Sequence, residues 1–145
     1  MKYINKSFLV EKVSLQKLAR KYDTPLYCYS YKKIKKNINN FKSNFKSISP
    51  LICFAIKANS NLQIIREIKK LGLGADVVSK GELMKAINAG VNSKKIVFSG
   101  VGKTSSELSY AIDKKILLIN TESKSEVFEI EKLAKSKKKI VDIGI

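Results

Sequence analysis

The chain predicts an α/β architecture built on a parallel sheet, and three observations carry that expectation. Short apolar runs recur at residues 52–56, 75–78, 96–99, 116–119 and 140–145, at spacings of roughly 20 to 24 residues. Between them lie helical patterns: Leu62, Ile65, Ile68 and Leu71; Leu83 and Ile87; Leu108 and Ile112; Val127, Ile130 and Leu133. Three of these helices open with a capping-box spacing directly after a strand run, at Ser79 and Glu82, Thr104 and Glu107, and Ser123 and Glu126. Strand, helix, strand in repetition is the signature of βαβ units.

The amino-terminal part is less regular. Residues 10–22 have helical spacing at Val13, Leu15, Leu18 and Ala19, and Thr24-Pro25 ends that pattern. Residues 26–29 read as a short strand. Ser30 is placed to cap a lysine-rich helix running through Phe45, with Ile34, Ile38, Phe41 and Phe45 on its inward face. Residues 51–56 then read as a buried strand, too short and too β-branched for a helix. Five strands are too few for an eight-stranded barrel, which takes ~250 residues. The chain also stops inside the apolar run 141–145. It is therefore expected to be a piece of a longer protein, inactive and unstable alone because both edges of the sheet would lie open.

Composition sets outer bounds. At 145 residues the chain has room for a real core. There is no apolar run of membrane-spanning length, and the basic start at Met1-Lys2-Tyr3 lacks the apolar stretch of a signal peptide. A cytoplasmic protein is the expectation. Cys28 and Cys53 each sit in an apolar run and read as buried free thiols; with no histidine in the chain, no metal-ligand pattern exists.

The net charge of +17 invites a nucleic-acid reading, which predicts tight, steeply salt-dependent binding and no cofactor. Against it, the excess is nearly all lysine, with only Arg20 and Arg66 for arginine, the residue that base-reading and bidentate phosphate contacts favour. Lysines such as Lys32, Lys35, Lys69, Lys85, Lys114 and Lys132 are spread along the helices and read as solvated faces. The dense run 135–139 reads as a helix end and loop.

Chemistry concentrates at Lys57, which directly follows the strand at 51–56. Residues at the C-terminal mouth of a parallel strand are where α/β proteins place ligands. A desolvated lysine amine there is a nucleophile suited to a Schiff base; a solvated loop lysine is the competing reading. Ser99-Gly100-Val101-Gly102-Lys103 is a second candidate, a glycine-rich loop entering a helix, though without the spacing of a P-loop.

Phe54-Ala55-Ile56-Lys57-Ala58-Asn59, followed at spacing by Ile64-Ile65, Ile68 and Gly72, resembles the pyridoxal-phosphate attachment signature of the group IV decarboxylases. These act on ornithine, arginine and diaminopimelate. The stretch from Gly74-Ala75-Asp76-Val77-Val78-Ser79 through Gly81-Glu82-Leu83 resembles the family's next block. Lys95-Ile96-Val97-Phe98-Ser99-Gly100-Val101-Gly102-Lys103-Thr104, with Thr24-Pro25-Leu26-Tyr27 and Ile116-Leu117-Leu118-Ile119-Asn120, is most similar to the diaminopimelate decarboxylase branch. The resemblance runs from about Thr24 to Ile145.

That resemblance implies a partial (β/α)8 TIM barrel of the alanine-racemase-like, pyridoxal-phosphate-binding type, truncated and without the family's β-rich C-terminal domain. Residues 1–30 would flank or join that β-rich domain, and residues 31–145 would form the first part of the barrel. The implied reaction is decarboxylation of meso-2,6-diaminopimelate to L-lysine and CO2, the last step of lysine biosynthesis. A sibling acting on ornithine, arginine or carboxynorspermidine is the alternative, and a catalytically dead partner protein another. An alanine racemase fits less well, because Ser60-Asn61-Leu62 stands where that family has a tyrosine- and glycine-rich turn. Lys57 would carry the cofactor as a Schiff base, Asp76 and Glu82 would lie near it, and Lys103 would take a structural or substrate-side role. Glu82 has a capping role open to it as well. The family's ring-stacking histidine, its glutamate for the pyridine nitrogen and its partner-subunit cysteine have no counterpart in these residues. A homodimer is implied for the full-length protein.

Overall fold

The computed structural model describes residues 2–4, 7–45 and 47–145. They divide into two compact units, Met1–Ser49 and Pro50–Ile145.

In the first unit, strands β1 (Lys2–Ile4), β2 (Ser7–Val10) and β3 (Val13–Ser14) form an antiparallel sheet in that order, followed by helices α1 (Leu15–Tyr22) and α2 (Tyr31–Ser43). The helix expected from residue 10 starts only at Leu15. Glu11 adopts φ 58° and turns the chain so that Val13 pairs back onto Val10, which commits residues 10–14 to a hairpin. Residues 26–29 form no strand and pair with none among the described residues; an apolar, aromatic composition favours extended backbone without supplying a partner. Ser30 caps α2 as expected, its hydroxyl oxygen accepting from the Lys33 amide at 3.1 Å. Glu11 reinforces that cap, accepting from Ser30 Oγ and the Lys32 amide, both at 2.9 Å. The Lys32 amide, then Ser30, hold the Glu11 carboxyl below its ordinary range.

The second unit is a parallel sheet in the order β4 (Cys53–Ala55), β5 (Gly74–Val77), β6 (Ile96–Phe98), β7 (Leu118–Asn120) and β8 (Ile143–Gly144). Helices α3 (Leu62–Lys70), α4 (Lys80–Asn88), α5 (Ser105–Lys114) and α6 (Lys124–Lys137) make the crossovers. The strands are shorter than the apolar runs that announced them, and Ile140 is fully exposed. Successive strand residues point to opposite faces. Phe54, Ala75, Val77, Ile96, Phe98 and Ile119 fall on one face, and all but the partly buried Phe54 are sealed against Leu83, Leu108 and Ile130 of the helices. Register puts Ala55, Asp76, Val97 and Leu118 side by side on the other face, where every one stays partly accessible. One face is a packed core and the other is open and carries the polar groups.

The helix starts differ in one respect from their capping-box sequences. At Thr104 the box closes reciprocally: Thr104 Oγ1 accepts from the Glu107 amide and Glu107 Oε2 accepts from the Thr104 amide. At Ser79 and Ser123 the serine oxygen accepts from the glutamate amide, but the carboxylate reaches one residue further back. Glu82 Oε2 accepts from the Val78 amide and Glu126 Oε2 from the Glu122 amide, each at 2.9 Å. Both caps have φ near −157°, against −76° at Thr104, and in that extended geometry the preceding amide is the one presented. Each of these glutamates therefore pins the loop leaving a strand end. The lysines read as solvated faces, Lys32, Lys35, Lys69, Lys85, Lys114 and Lys132, are all exposed.

Candidate active site

Lys57 sits in a single 3-10 turn, Ile56–Ala58, that follows β4 without a gap. The apolar run explains the placement: Ile56 is fully buried against the helices and anchors the turn, leaving Lys57 exposed at the strand's C-terminal end. The turn is closed by the Asn59 amide donating to the Ile56 carbonyl at 3.1 Å, and Asn59 Oδ1 accepts from the Asn61 amide at 3.0 Å. Asn61 in turn caps α3 through the Gln63 amide at 2.9 Å. Lys85 of α4 donates to Ser60 Oγ at 2.8 Å. The loop is held from both sides, while no hydrogen bond or ion pair among the described residues engages the Lys57 amine.

Asp76 is the register partner of Ala55, two residues before Lys57, and lies on the open face. Its Oδ1 accepts from Ser99 Oγ at 2.8 Å, and Ser99 Oγ accepts from Asn120 Nδ2 at 3.0 Å. Three adjacent strands thus contribute one polar side chain each to a hydrogen-bonded row across their C-terminal ends. Cys53 lies on the same face, its thiol half-buried near the Lys95 carbonyl at 3.8 Å; burial first, and the Asp76 charge second, push that thiol up. Cys28 is free and half-buried as well, so neither thiol is enclosed as the sequence led us to expect.

Glu82 stands at the start of α4 with one carboxylate oxygen on the Val78 amide. Lys103 is placed differently. Its side chain is 1% exposed, and its amine donates to Glu126 Oε1 at 2.8 Å and to the Asn120 carbonyl at 2.7 Å. Of the two roles open to it, this environment supports the structural one. The glycine-rich loop does have φ of 94° at Gly100 and 70° at Gly102, but the Gly100 amide donates to the Glu122 carboxylate at 3.3 Å. With Glu122 and Glu126 beside it, and the Thr104 amide on Glu107, that loop is no anion cradle.

Ser99, Asn120 and the buried Glu126 were not picked out as site residues in the sequence. The signal for the first two was present: each is the polar residue ending an apolar strand run. Nothing in the pattern distinguished Glu126 from the other capping glutamates.

A pyridoxal-dependent decarboxylase, pyridoxal binding domain model matches residues 31–144. The chain belongs to this family. A diaminopimelate decarboxylase of Helicobacter pylori (strain J99) is 47% identical over 121 residues, which are 83% of this chain and 30% of that relative. The crystal structure of diaminopimelate decarboxylase from M. jannaschi superposes with a TM-score of 0.94 at 38% identity, covering 98% of this chain and 34% of that one. The H. pylori enzyme complexed with L-lysine superposes with a TM-score of 0.85 at 43% identity, covering 88% and 32% respectively. The chain thus spans about a third or less of the relatives it matches, and its five parallel strands correspond to the amino-terminal part of their barrels.

The family's cofactor is pyridoxal phosphate, and the residues present suit its aldehyde end. A primary amine stands unengaged at a strand mouth, with a carboxylate, a hydroxyl and a carboxamide on the adjoining open face. Among the described residues no group is arranged for the phosphate end.

Proposed function

We propose that this chain forms the aldehyde-binding part of the site of a diaminopimelate decarboxylase, which converts meso-2,6-diaminopimelate to L-lysine and CO2. The observation that carries the proposal is the placement of Lys57, exposed directly beyond β4 and two residues from the register partner of Asp76. The identity to diaminopimelate decarboxylases supports the choice of substrate.

The chemistry that pyridoxal phosphate would supply when bound is a sink for the electron pair left on the substrate Cα as CO2 departs. The chain's own residues bind and orient. Lys57 Nζ would hold the cofactor at its aldehyde carbon. Asp76, held by Ser99, presents a fixed carboxylate to the cofactor side of the open face. Glu82 holds the loop leaving β5 through the Val78 amide. Lys103 and Glu126 lie behind the row. Residues 1–30 belong, in this reading, beside the β-rich domain of the full-length protein, which is a cytoplasmic homodimer. No helix among the described residues is long and apolar enough to cross a membrane.

Borohydride reduction of the full-length protein loaded with pyridoxal phosphate tests the assignment. Mass spectrometry is expected to find the pyridoxyl group on the peptide carrying Lys57, with CO2 released from meso-diaminopimelate and not from ornithine or arginine. Lys57→Ala should abolish the label yet change folding stability by less than ~0.5 kcal/mol, as for an exposed side chain. A label on another lysine, or none, overturns the proposal.

A further inference from the structure

We propose that the buried Lys103–Glu126 pair is a positioning device for the open face, fixing Asn120 and, through Ser99, the carboxylate of Asp76. The inference rests on the functional reading above and deepens it by adding Lys103, Glu126, Asn120 and Ser99 as positioning residues.

An ammonium group with 1% exposure is costly to keep, so its partners need accounting for. The helix caps do not need it. Helix α5 is closed by Thr104 and Glu107, and α6 by Ser123 Oγ with the second oxygen of Glu126 on the Glu122 amide. What the ammonium adds is a charged hydrogen bond at 2.7 Å to the carbonyl of Asn120, the last residue of β7. Lys103 comes from the loop leaving β6 and lies 5.8 Å from the centre of the Phe98 ring, so the pair ties the ends of β6 and β7 to each other and to α6.

The side chain of Asn120 has little freedom once its backbone is held. Gly144 of β8 is its register partner, and a Cβ at Gly144 would run into Asn120 Oδ1. Thr121 clamps the same neighbour, its amide and hydroxyl donating to the Gly144 carbonyl at 2.8 and 2.7 Å. Asn120 Nδ2 therefore faces Ser99 Oγ at 3.0 Å. Ser99 has one proton, given to Asp76 Oδ1 at 2.8 Å, so it can only accept from Asn120. Donor order along the row is fixed, and a shift of the β7 end passes directly to the Asp76 carboxylate.

The test uses the full-length protein with bound pyridoxal phosphate, read by visible circular dichroism of the cofactor and by kcat and KM separately. Lys103→Met alone leaves a buried carboxylate unpaired and risks unfolding, so the working variant is K103M/E126Q, which keeps volume and the acceptor for the Glu122 amide. Asn120→Ala is the second variant. Asp113→Asn, which removes a tie between α5 and α6 at their far ends, is the structural control. K103M/E126Q and Asn120→Ala are expected to retain the cofactor on Lys57, to change its dichroism per unit absorbance at least twofold, and to lower kcat ~10-fold with a smaller change in KM. The control should match the wild type in all three. Wild-type dichroism and kinetics in both working variants would overturn this inference alone. A wild-type protein that takes up no cofactor would overturn the functional reading and this inference with it.

Discussion

Replacing Lys103 with methionine keeps the aliphatic stem and removes the charge, which isolates what the buried pair contributes to folding. The two groups are 2.8 Å apart, with side-chain exposures of 1% and 8%. At an effective dielectric constant of ~20 their gross attraction is about 6 kcal/mol. Desolvating two ions costs several kcal/mol each, so the intact pair nets little against an apolar replacement. Breaking it from one side is another matter, because the Glu126 carboxylate stays buried and uncompensated. Lys103→Met should therefore destabilise the second unit by ~3–5 kcal/mol. Glu126→Gln should also cost much, leaving a buried ammonium with an amide and a carbonyl. The double variant removes both charges and is expected to fall short of the sum of the singles by ~2–3 kcal/mol. Hydrogen exchange of amides in residues 50–145 of the full-length protein reads this element by element, with the Glu122 amide as the most direct reporter. Additivity within ~0.5 kcal/mol would refute the reasoning, since it would mean the two charges do not compensate each other.

Three further outcomes follow from the geometry. A methyl group at Gly74 would collide with the Lys95 carbonyl oxygen and come within 2.9 Å of Cys53 Sγ, so Gly74→Ala should cost ~1–3 kcal/mol, read by urea denaturation. Lys138, the C-cap of α6, is held at φ 51°, and Lys138→Gly should raise stability by up to ~1 kcal/mol in the same assay. Asp113 accepts from Lys137 and Lys139, which lower its pKa from 3.8 to about 2. Its folded value lies below its unfolded one, so its contribution is full above about 4 and is lost as pH falls through about 2. The stability difference between wild type and Asp113→Asn should accordingly shrink across that window; a difference independent of pH would rule the ion pairs out as its source.

The second unit was legible in outline because its information is local. Each strand run is apolar on the face that meets the helices, and three of the four helix starts, those of α4, α5 and α6, carry a serine or threonine with a glutamate three residues on. Lys57 could be located because one fully buried isoleucine fixes the turn in which it stands. The first unit resisted for the opposite reason. Residues 10–14 have a helical apolar spacing, but the hairpin formed by β1 and β2 gives Val13 a strand to pair with, and that pairing decides the matter. Residues 26–29 show the converse, strand-like composition with no ladder beside it.

The row of Asp76, Ser99 and Asn120 was hidden by a different limit. None of these residues is unusual where it stands; Ser99 and Asn120 close apolar runs, and Asp76 lies within one. Their relation exists only across strands, through the in-register pairing that puts Ala55 beside Asp76, Asp76 beside Val97, and Asn120 beside Gly144. The capping glutamates divide along the same line. Glu107 completes a reciprocal box and also accepts from the Lys80 amide at 3.0 Å, which joins two helix starts, and these two amides hold its carboxyl below the ordinary range. Glu126 has the same local sequence signature, yet its first oxygen turns inward to Lys103. What separates them is the residue delivered opposite by the neighbouring βα loop, a backbone amide in one case and a buried ammonium in the other. In a repeating βαβ sheet, therefore, the capping spacing locates the loops, and the cross-strand partner determines which loop reaches back to the site.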